Sequence, residues 1–206
     1  MMRSPSKIVC VGRNYVDHAK ELGNDVPALP LLFLKPPSSI VRGGEDIVLP
    51  AASQEVHFEG EIGLVIGARL TRADAAAARA AIVAVVAAND VTARDLQRSD
   101  GQWTRAKGFD TFCPLGEPVP TPDDLASVAV VTRVNGVERQ RGAVADMAVS
   151  PADLLAYISG IMTLEPGDLV LTGTPAGVGP LAPGDVVEVA LSCGSRVENP
   201  VIAARG

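Results

Sequence analysis

No stretch of this 206-residue sequence approaches the ~18 consecutive apolar residues that a membrane-spanning helix needs. The apolar run in the N-terminal MMRSPSKIVCVG is also too short for a secretory signal peptide. Basic residues form no stripe and the formal net charge is −6, so a nucleic-acid-binding role has little support. We therefore expect a cytoplasmic protein that binds neither membranes nor nucleic acids.

The sequence has few cysteines, and Cys10, Cys113 and Cys193 are far apart. An odd and scattered set is typical of reduced thiols in a cytoplasm rather than of a disulfide framework. A P-loop is absent as well, because GTPAGVG at residues 173–179 has neither the spacing nor the lysine of that motif. Its backbone N–H groups either bind an anion or simply form a tight turn.

The overall composition is that of a globular protein. Hydrophobic residues make up 47% and charged residues 20%, which allows a sizeable core and argues against disorder. Twenty glycines and sixteen prolines, spread along the chain, predict many turns between short strands. We predict one α+β domain, mostly sheet, over residues 1–206.

Short apolar runs between turn residues predict the strands. They lie at residues 7–11, 31–35, 47–49 and 56–66, and a further strand begins at Ile82 with Asn89 and Asp90 near its end. Periodicity alone does not define where the preceding Ala-rich helix ends and this last strand begins.

Two local patterns in the second half of the chain are stronger. Asn135-Gly136 between alternating runs predicts a hairpin with a type I′ turn. Ser150, Pro151 and Asp153 together predict the start of a helix, as N-cap, first position and acidic first turn.

Three further segments are predicted from weaker patterns. Thr71 is a candidate N-cap for the Ala-rich helix. Residues 15–22 predict a short helix within the glycine-bracketed segment 12–23, which has the profile of a lid. Residues 96–108 are polar and predict a mobile loop.

The stretch EVHFEGEIGLVIG, residues 55–67, places an unusual set of side chains on one face of a strand. Alternation puts Glu55, His57, Glu59 and Glu61 on the same side, opposite an apolar face. One interpretation is a strand with a solvated face, which is common in antiparallel sheets. The other is a cation site, because a cation removes the repulsion between neighbouring carboxylates.

Asp90 favours the cation site. It follows an apolar run, where an unpaired carboxylate is hard to bury. Together with Glu59 and Glu61 it forms an all-oxygen set that suits Mg²⁺, Mn²⁺ or Ca²⁺. His57 would be a fourth ligand for a softer metal, but is more often a residue that packs behind the ligands.

Three other residues are candidates for catalysis. His18 and Glu21 share a helix face, so the carboxylate is able to orient the imidazole as a general base; an incidental surface pair is at least as good an interpretation. Lys107 is a candidate partner for an anionic substrate, although most lysines are simply solvated.

Five motifs in order resemble the fumarylacetoacetate hydrolase family, and more narrowly its small acylpyruvate hydrolases. The motifs are VGRNYVDHAKELG, HFEGEIGLVIG, NDVTARDLQ, KGFDTFCPLG and LTGTPAGVGPLAPGD. The resemblance runs from Lys7 to the C-terminal strand. It implies a mixed β-sandwich or roll with a few helices, usually as a homodimer.

The resemblance also implies roles for individual residues. Mg²⁺ or Mn²⁺, with Ca²⁺ as a substitute, would be held by Glu59, Glu61 and Asp90. His18 and Glu21 would be a catalytic dyad on a lid, and Lys107 would lie near the reacting carbonyl. The residues expected to contact substrate are Arg13, Arg94, Gln97 and Thr174. His57 would then lie behind the ligands and Glu55 in solvent.

The implied reaction is hydrolysis of the C–C bond in 2,4-dioxo acids to give pyruvate and a carboxylic acid. Decarboxylation of oxaloacetate or isomerisation of an oxo-diacid on the same site are alternatives. A catalytically silent metal-binding protein is a third. The chain is a few residues shorter than its relatives between Gln97 and Lys107, which puts substrate size in question, and the N-terminal domain of the larger family members is not expected.

Overall fold

The computed structural model describes residues 5–16 and 27–204, and every structural statement below concerns those residues. The largest sheet is mixed, with strand order β2-β1-β13-β6-β7-β9-β3, and β10 pairs with β7 outside this path. Its strands are β1 Ile8–Gly12, β2 Leu31–Lys35, β3 Ile40–Arg42, β6 Gly60–Ile66, β7 Ile82–Asn89, β9 Cys113–Leu115, β10 Val119–Pro120 and β13 Leu169–Leu171.

Two smaller sheets complete the β-structure. One has the order β12-β11-β15-β16-β4, and the other has the order β14-β5-β8. Their strands are β4 Ile47–Leu49, β5 Val56–Phe58, β8 Thr92–Ala93, β11 Ala129–Val134, β12 Val137–Ala143, β14 Gly179–Pro180, β15 Val186–Leu191 and β16 Arg196–Ala203.

The described residues form four short α-helices and three 3₁₀ turns. The helices are α1 Ala75–Ala80, α2 Arg94–Ser99, α3 Thr104–Lys107 and α4 Pro151–Ile161, and the turns are Pro37–Ser39, Leu125–Ser127 and Val144–Asp146. Mixed sheets with few helices confirm the predicted α+β class. No helix in this part of the chain is both long and apolar enough to cross a membrane.

The main core lies between the largest sheet and the five-stranded sheet. Ile62 and Leu64 of β6 pack in one buried cluster with Val130 of β11, Val189 of β15 and Leu154 of α4. Burying side chains of this size stabilises the fold by about 1.5–3 kcal/mol each. This packing fixes the positions of β6, which begins at the candidate site, and of β7, which ends there.

The local patterns with the strongest sequence signatures are confirmed. Asn135 and Gly136 have φ of 52° and 76° between β11 and β12, as a type I′ turn requires. The Ser150 hydroxyl accepts from the Asp153 N–H, and α4 starts at Pro151. Local chemistry is sufficient to define both features.

Other predicted elements are wrong in detail. The N-cap of α1 is Asp74, whose carboxylate accepts from the Ala77 N–H at 2.8 Å, and not Thr71. The segment 96–108 is not a polar loop, because it contains most of α2 and all of α3, with Lys107 buried. The predicted helix at 15–22 lies largely outside the described residues.

The predicted strand 56–66 also differs. It breaks at Glu59 into β5 and β6, which belong to different sheets. Every residue of β6 is buried, so the strand has no solvated face. It lies between β13 and β7 inside the largest sheet. Both of its faces are packed, with Ile62 and Leu64 in one buried cluster and Val65 in another.

Candidate active site and metal centre

Strand pairing brings three acidic residues to one end of β6 and β7. Gly60 lies opposite Asn89 in this antiparallel pair, so Glu59, before β6, is adjacent to Asp90, after β7. The Asp90 N–H donates to the Glu59 carbonyl at 2.8 Å. The Glu59 N–H donates to the Asn89 side-chain oxygen at 2.9 Å. Glu61 follows two residues later on the same strand.

The three side chains converge in the interior of the protein. One carboxylate oxygen from each of Glu59, Glu61 and Asp90 lies within 4.8 Å of the other two. Their residues are only 4%, 1% and 0% exposed. Burial, together with the charges of Asp90 and Glu59, raises the pKa of the Glu61 carboxyl well above its ordinary value. All three groups can be ionised in the interior only if cations pair with them.

Two cations reach this set from the cavity side. The Lys107 Nζ donates to Glu59 Oε2 at 2.8 Å and to Asp90 Oδ2 at 2.5 Å. Arg94 Nη2 forms an ion pair with Glu59 Oε1, and Arg94 Nη1 donates to Gln97 Oε1 at 2.8 Å. Burial alone would lower the pKa of Lys107, but the charges of Asp90 and Glu59 outweigh it, and the pKa is raised.

A third cation was not predicted from the sequence. Lys35, at the end of β2, donates to Asp90 Oδ1 at 2.7 Å and is itself 1% exposed. The one indication in the sequence is a lysine that ends the apolar run LLFLK, the same pattern that identified Asp90. Lys35, Lys107 and Arg94 therefore compensate the charges of Glu59 and Asp90.

The loop after β13 fixes the third carboxylate. The Gly173 N–H donates to Glu61 Oε2 at 2.8 Å, and Gly173 has φ of +100°, a conformation that strongly favours glycine. The preceding carbonyl, of Thr172, accepts from the Asn14 amide at 2.9 Å. Asn14 therefore holds in place the loop that orients Glu61, and sequence reasoning did not find it.

Thr174 is fixed by a second polar network. Its hydroxyl donates to the Gly60 carbonyl at 2.9 Å and accepts from the Gln140 amide at 2.8 Å. The Gln140 side-chain oxygen in turn accepts from the Gly60 N–H at 2.9 Å. Because its proton is committed to Gly60, the Thr174 hydroxyl is left to act as an acceptor toward the cavity.

One cavity of about 390 Å³ is bordered by the three carboxylates, Lys107, Arg94 and Thr174. It brings together eight residues predicted from the sequence: Arg13, Glu59, Glu61, Asp90, Arg94, Gln97, Lys107 and Thr174. It also has walls that were not predicted, formed by Val11, Gly12, Phe33, Arg98 and Trp103. Trp103 packs edge-on against Phe33, with ring centroids 5.3 Å apart, so the outer wall is aromatic.

Two of the remaining predicted residues are outside the part of the chain that the structure describes, and two are away from the cavity. His18 and Glu21 fall outside the described residues, as does most of the predicted lid at 12–23. His57 Nε2 lies 3.3 Å from Glu55 Oε1, and Glu55 also pairs with Arg98. Neither Glu55 nor His57 borders the cavity. Burial, together with the charge of Arg94, lowers the pKa of His57.

The donor set fits a small divalent cation. Three buried carboxylates converge at the end of an open cavity, and oxygen ligands of this kind are preferred by Mg²⁺, Mn²⁺ and Ca²⁺. Glu59, Glu61 and Asp90 are the residues that would hold it. Lys107 and Arg94 lie beside the same carboxylates and place positive charge at the border of the cavity.

These features define an α+β protein with a carboxylate-rich, metal-binding type of site in an open cavity. The model for the fumarylacetoacetate (FAA) hydrolase C-terminal domain matches residues 7–202. The chain therefore belongs to the fumarylacetoacetate hydrolase family.

Relatives within the family differ in their named activities. The mitochondrial oxaloacetate decarboxylase of Dictyostelium discoideum is 44% identical over 90% of this chain and 88% of its own length. The crystal structure of 5-carboxymethyl-2-hydroxymuconate delta-isomerase from Mycobacterium smegmatis has a TM-score of 0.91 and 44% identity, over 98% of this chain and 81% of that one. The crystal structure of fumarylpyruvate hydrolase from Pseudomonas aeruginosa with Mn²⁺ and pyruvate has a TM-score of 0.91 and 30% identity, over 97% of this chain and 91% of that one.

Proposed function

We propose that this protein is a divalent-cation-dependent hydrolase that cleaves the C–C bond of 2,4-dioxo acids, acylpyruvates or fumarylpyruvate, to give pyruvate and a carboxylic acid. The observation that carries the proposal is the buried triad of Glu59, Glu61 and Asp90, with Lys107 beside it, at the end of one cavity. The fumarylpyruvate hydrolase with bound Mn²⁺ and pyruvate supports the same class of substrate and cofactor.

Substrate binding would use the cationic side of the cavity. Arg94 is buried and already oriented by Glu59 and Gln97, so its guanidinium is pre-organised for an anionic 2-oxo acid. Arg13 also borders the cavity, and its φ of 60° fixes an unusual backbone at the end of β1. A divalent cation held by the triad would supply Lewis acidity toward the 2-oxo acid.

The reaction itself would proceed through residues of this chain. His18, oriented by Glu21, would take a proton from water, whose oxygen attacks C4 of the substrate. The Lys107 ammonium would stabilise the negative charge that develops on the C4 oxygen. The C3–C4 bond then breaks, its electron pair leaves with the pyruvyl fragment, and protonation at C3 completes pyruvate beside the carboxylic acid.

A second candidate is decarboxylation of oxaloacetate. It is favoured by the Dictyostelium relative, whose alignment covers most of both chains. Loss of CO₂ from a 2-oxo diacid needs an electron sink and not a base that activates water. The same triad and Arg94 would serve this reaction, but His18 would not be needed for bond cleavage.

A substrate panel would separate the two candidates. Pyruvate release is measured from a series of acylpyruvates, from fumarylpyruvate and from oxaloacetate, with the metal-stripped protein and with Mg²⁺ or Mn²⁺ added. The proposal expects cation-dependent turnover of at least one 2,4-dioxo acid at a higher kcat/KM than oxaloacetate. Turnover of oxaloacetate alone would favour the second candidate, and no turnover of any member would contradict both.

The homodimer that the family resemblance implies, and the cytoplasmic location expected from the composition, belong to the same proposal. Light scattering coupled to size-exclusion chromatography measures the mass directly. We expect twice the 21.3 kDa of one chain. The mass of a single chain would contradict the dimer without affecting the proposed chemistry.

A further inference from the structure

Lys35 is a buried charged residue that the proposed reaction does not use. Its side chain has no exposed surface, and it is not among the residues that border the cavity. It ends β2, where it lies opposite Ile8 of β1. An ammonium group in such a position is costly unless it is paired and hydrogen-bonded, so its partners indicate its role.

Both hydrogen-bond partners of Lys35 belong to the segment that directly follows β7. Its Nζ donates to Asp90 Oδ1 at 2.7 Å and to the Val91 carbonyl at 3.2 Å. The centre of the Phe112 ring lies 6.0 Å from the same nitrogen. Lys35 therefore anchors one carboxylate and the backbone next to it.

The two oxygens of Asp90 are thus divided between two lysines. Oδ1 accepts from Lys35, which lies on the protein side, beyond the reach of any ligand in the cavity. Oδ2 accepts from Lys107, which borders the cavity. Only the second contact can be exchanged for a contact with a bound ion.

We propose that Lys35 is a positioning residue of the metal centre, which holds Asp90 as a one-oxygen ligand and thereby favours Mg²⁺ or Mn²⁺ over Ca²⁺. Mg²⁺ demands near-octahedral geometry, whereas Ca²⁺ takes more oxygen ligands and readily uses both oxygens of a carboxylate. Without Lys35, Asp90 would be free to turn and offer both. This inference rests on the metal centre of the proposed function.

The test is the cation preference of Lys35→Met, which keeps an unbranched side chain and removes the ammonium. Dissociation constants for Mg²⁺ and Ca²⁺ are measured by calorimetry on metal-stripped protein. Mg²⁺ affinity should fall about 10–100-fold, the range for residues that orient metal ligands. Ca²⁺ affinity should fall less or rise, which moves the preference about tenfold or more toward Ca²⁺.

The direction of the change separates orientation from charge. Removing a positive charge beside the site should by itself strengthen the binding of either cation. Weaker Mg²⁺ binding therefore reports the lost orientation of Asp90. Lys7→Met is the matched control, because Lys7 pairs with another aspartate, Asp168, and neither borders the cavity. This control should leave the preference unchanged.

Two other outcomes would each overturn part of the proposal. An unchanged Mg²⁺/Ca²⁺ preference in folded Lys35→Met overturns the role of Lys35 and leaves the metal centre standing. Failure of the unsubstituted protein to bind either cation overturns the metal centre, and this inference with it.

A second comparison covers the case in which Lys35→Met does not fold. The double variant Lys35→Met, Asp90→Asn buries neither charge, and it is compared with Asp90→Asn alone. Loss of the Lys35 charge should strengthen the binding of both cations in the double variant. Because Lys35 acts through Asp90, the Mg²⁺/Ca²⁺ preference should be the same in the two variants. A different preference in the double variant overturns the proposal.

Discussion

The ammonium of Lys107 lies 2.5 Å from Asp90 Oδ2, so the lysine assigned to the reacting carbonyl is held by a carboxylate assigned to the cation. In the proposed function, the groups for substrate and for the cation would therefore be in direct contact. The same nitrogen lies 4.9 Å from the centre of the Phe33 ring, a cation–π contact that also holds the ammonium at the site. This relationship makes Lys107 the first target for substitution.

Lys107→Met should impair turnover without removing the cation. Loss of one group that stabilises a developing oxyanion typically lowers kcat about 10²–10³-fold. In this variant Asp90 keeps its ion pair with Lys35, and Glu59 keeps its ion pair with Arg94. Both carboxylates therefore retain a cationic partner. The measurements are kcat for acylpyruvate cleavage and bound Mn²⁺ per chain. A kcat close to that of the unsubstituted protein, with metal retained, would remove Lys107 from the proposed mechanism.

The role of His18 is tested by comparing two reactions. Removal of a positioned general base typically costs about 10²–10⁴-fold, so His18→Ala should reduce acylpyruvate cleavage by that order. Oxaloacetate decarboxylation should fall less, because the triad is intact. Glu59→Ala should abolish both, and it serves as the reference for loss of the metal centre. If His18→Ala lowers kcat/KM equally for both substrates while metal is retained, His18 does not act as a water-activating base.

The raised pKa of Glu61 predicts how the stability of the metal-free protein depends on pH. The folded protein retains a proton on Glu61 over a pH range in which the unfolded chain, with the ordinary value of 4.5, has released it. Folding is therefore favoured by this group below about pH 4.5, and that contribution is lost as pH rises through the raised pKa.

The measurement is the free energy of unfolding against pH in EDTA, for the unsubstituted protein and for Glu61→Gln. The difference between the two isolates Glu61 from other titrating groups, and it should shift in favour of Glu61→Gln as pH rises. Mg²⁺ should reverse the shift, because the cation binds the ionised carboxylate. A difference that does not change with pH would contradict the burial of an uncompensated carboxyl at Glu61.

Gly60 is required by close packing beneath the triad. A Cβ at this position would lie 1.8 Å from Thr132 Oγ1 and 3.2 Å from Thr132 Cβ. Overpacking of this kind typically costs about 1–3 kcal/mol, so Gly60→Ala should lower the free energy of unfolding by at least that amount. Gly101→Ala is the matched control, because a Cβ there meets nothing within 4 Å.

The Gly60 prediction also has a rescue. The Thr132 hydroxyl has no hydrogen-bond partner among the described residues, so Thr132→Ala removes the obstructing oxygen without leaving a buried group unpaired. The double variant Gly60→Ala, Thr132→Ala should recover part of the lost stability, measured by denaturant unfolding. Equal stability of Gly60→Ala and Gly101→Ala would contradict the prediction, because it would show that Thr132 on β11 moves aside at little cost.

The sequence by itself determined the features that depend on neighbouring residues. The Asn135-Gly136 turn and the Ser150 cap were predicted correctly, because their backbone geometry is chosen by two or three adjacent side chains. The carboxylates of the triad were also predicted, because acidic residues stand out within or directly beside the apolar runs of β6 and β7. The five family motifs of the sequence also identified the fold class.

Only the tertiary structure decided how these residues are surrounded. Lys35 reaches Asp90 across 55 residues of sequence, and no local pattern links the two. The interpretation of a solvated strand face is wrong for β6, because Ile62 and Leu64 pack in one buried cluster and Val65 packs in another. Lys107 was predicted in a loop, but α3 brings it into the interior against Glu59 and Asp90. Burial and charge compensation arise from contacts between distant segments, and so they are properties of the folded chain and not of its local sequence.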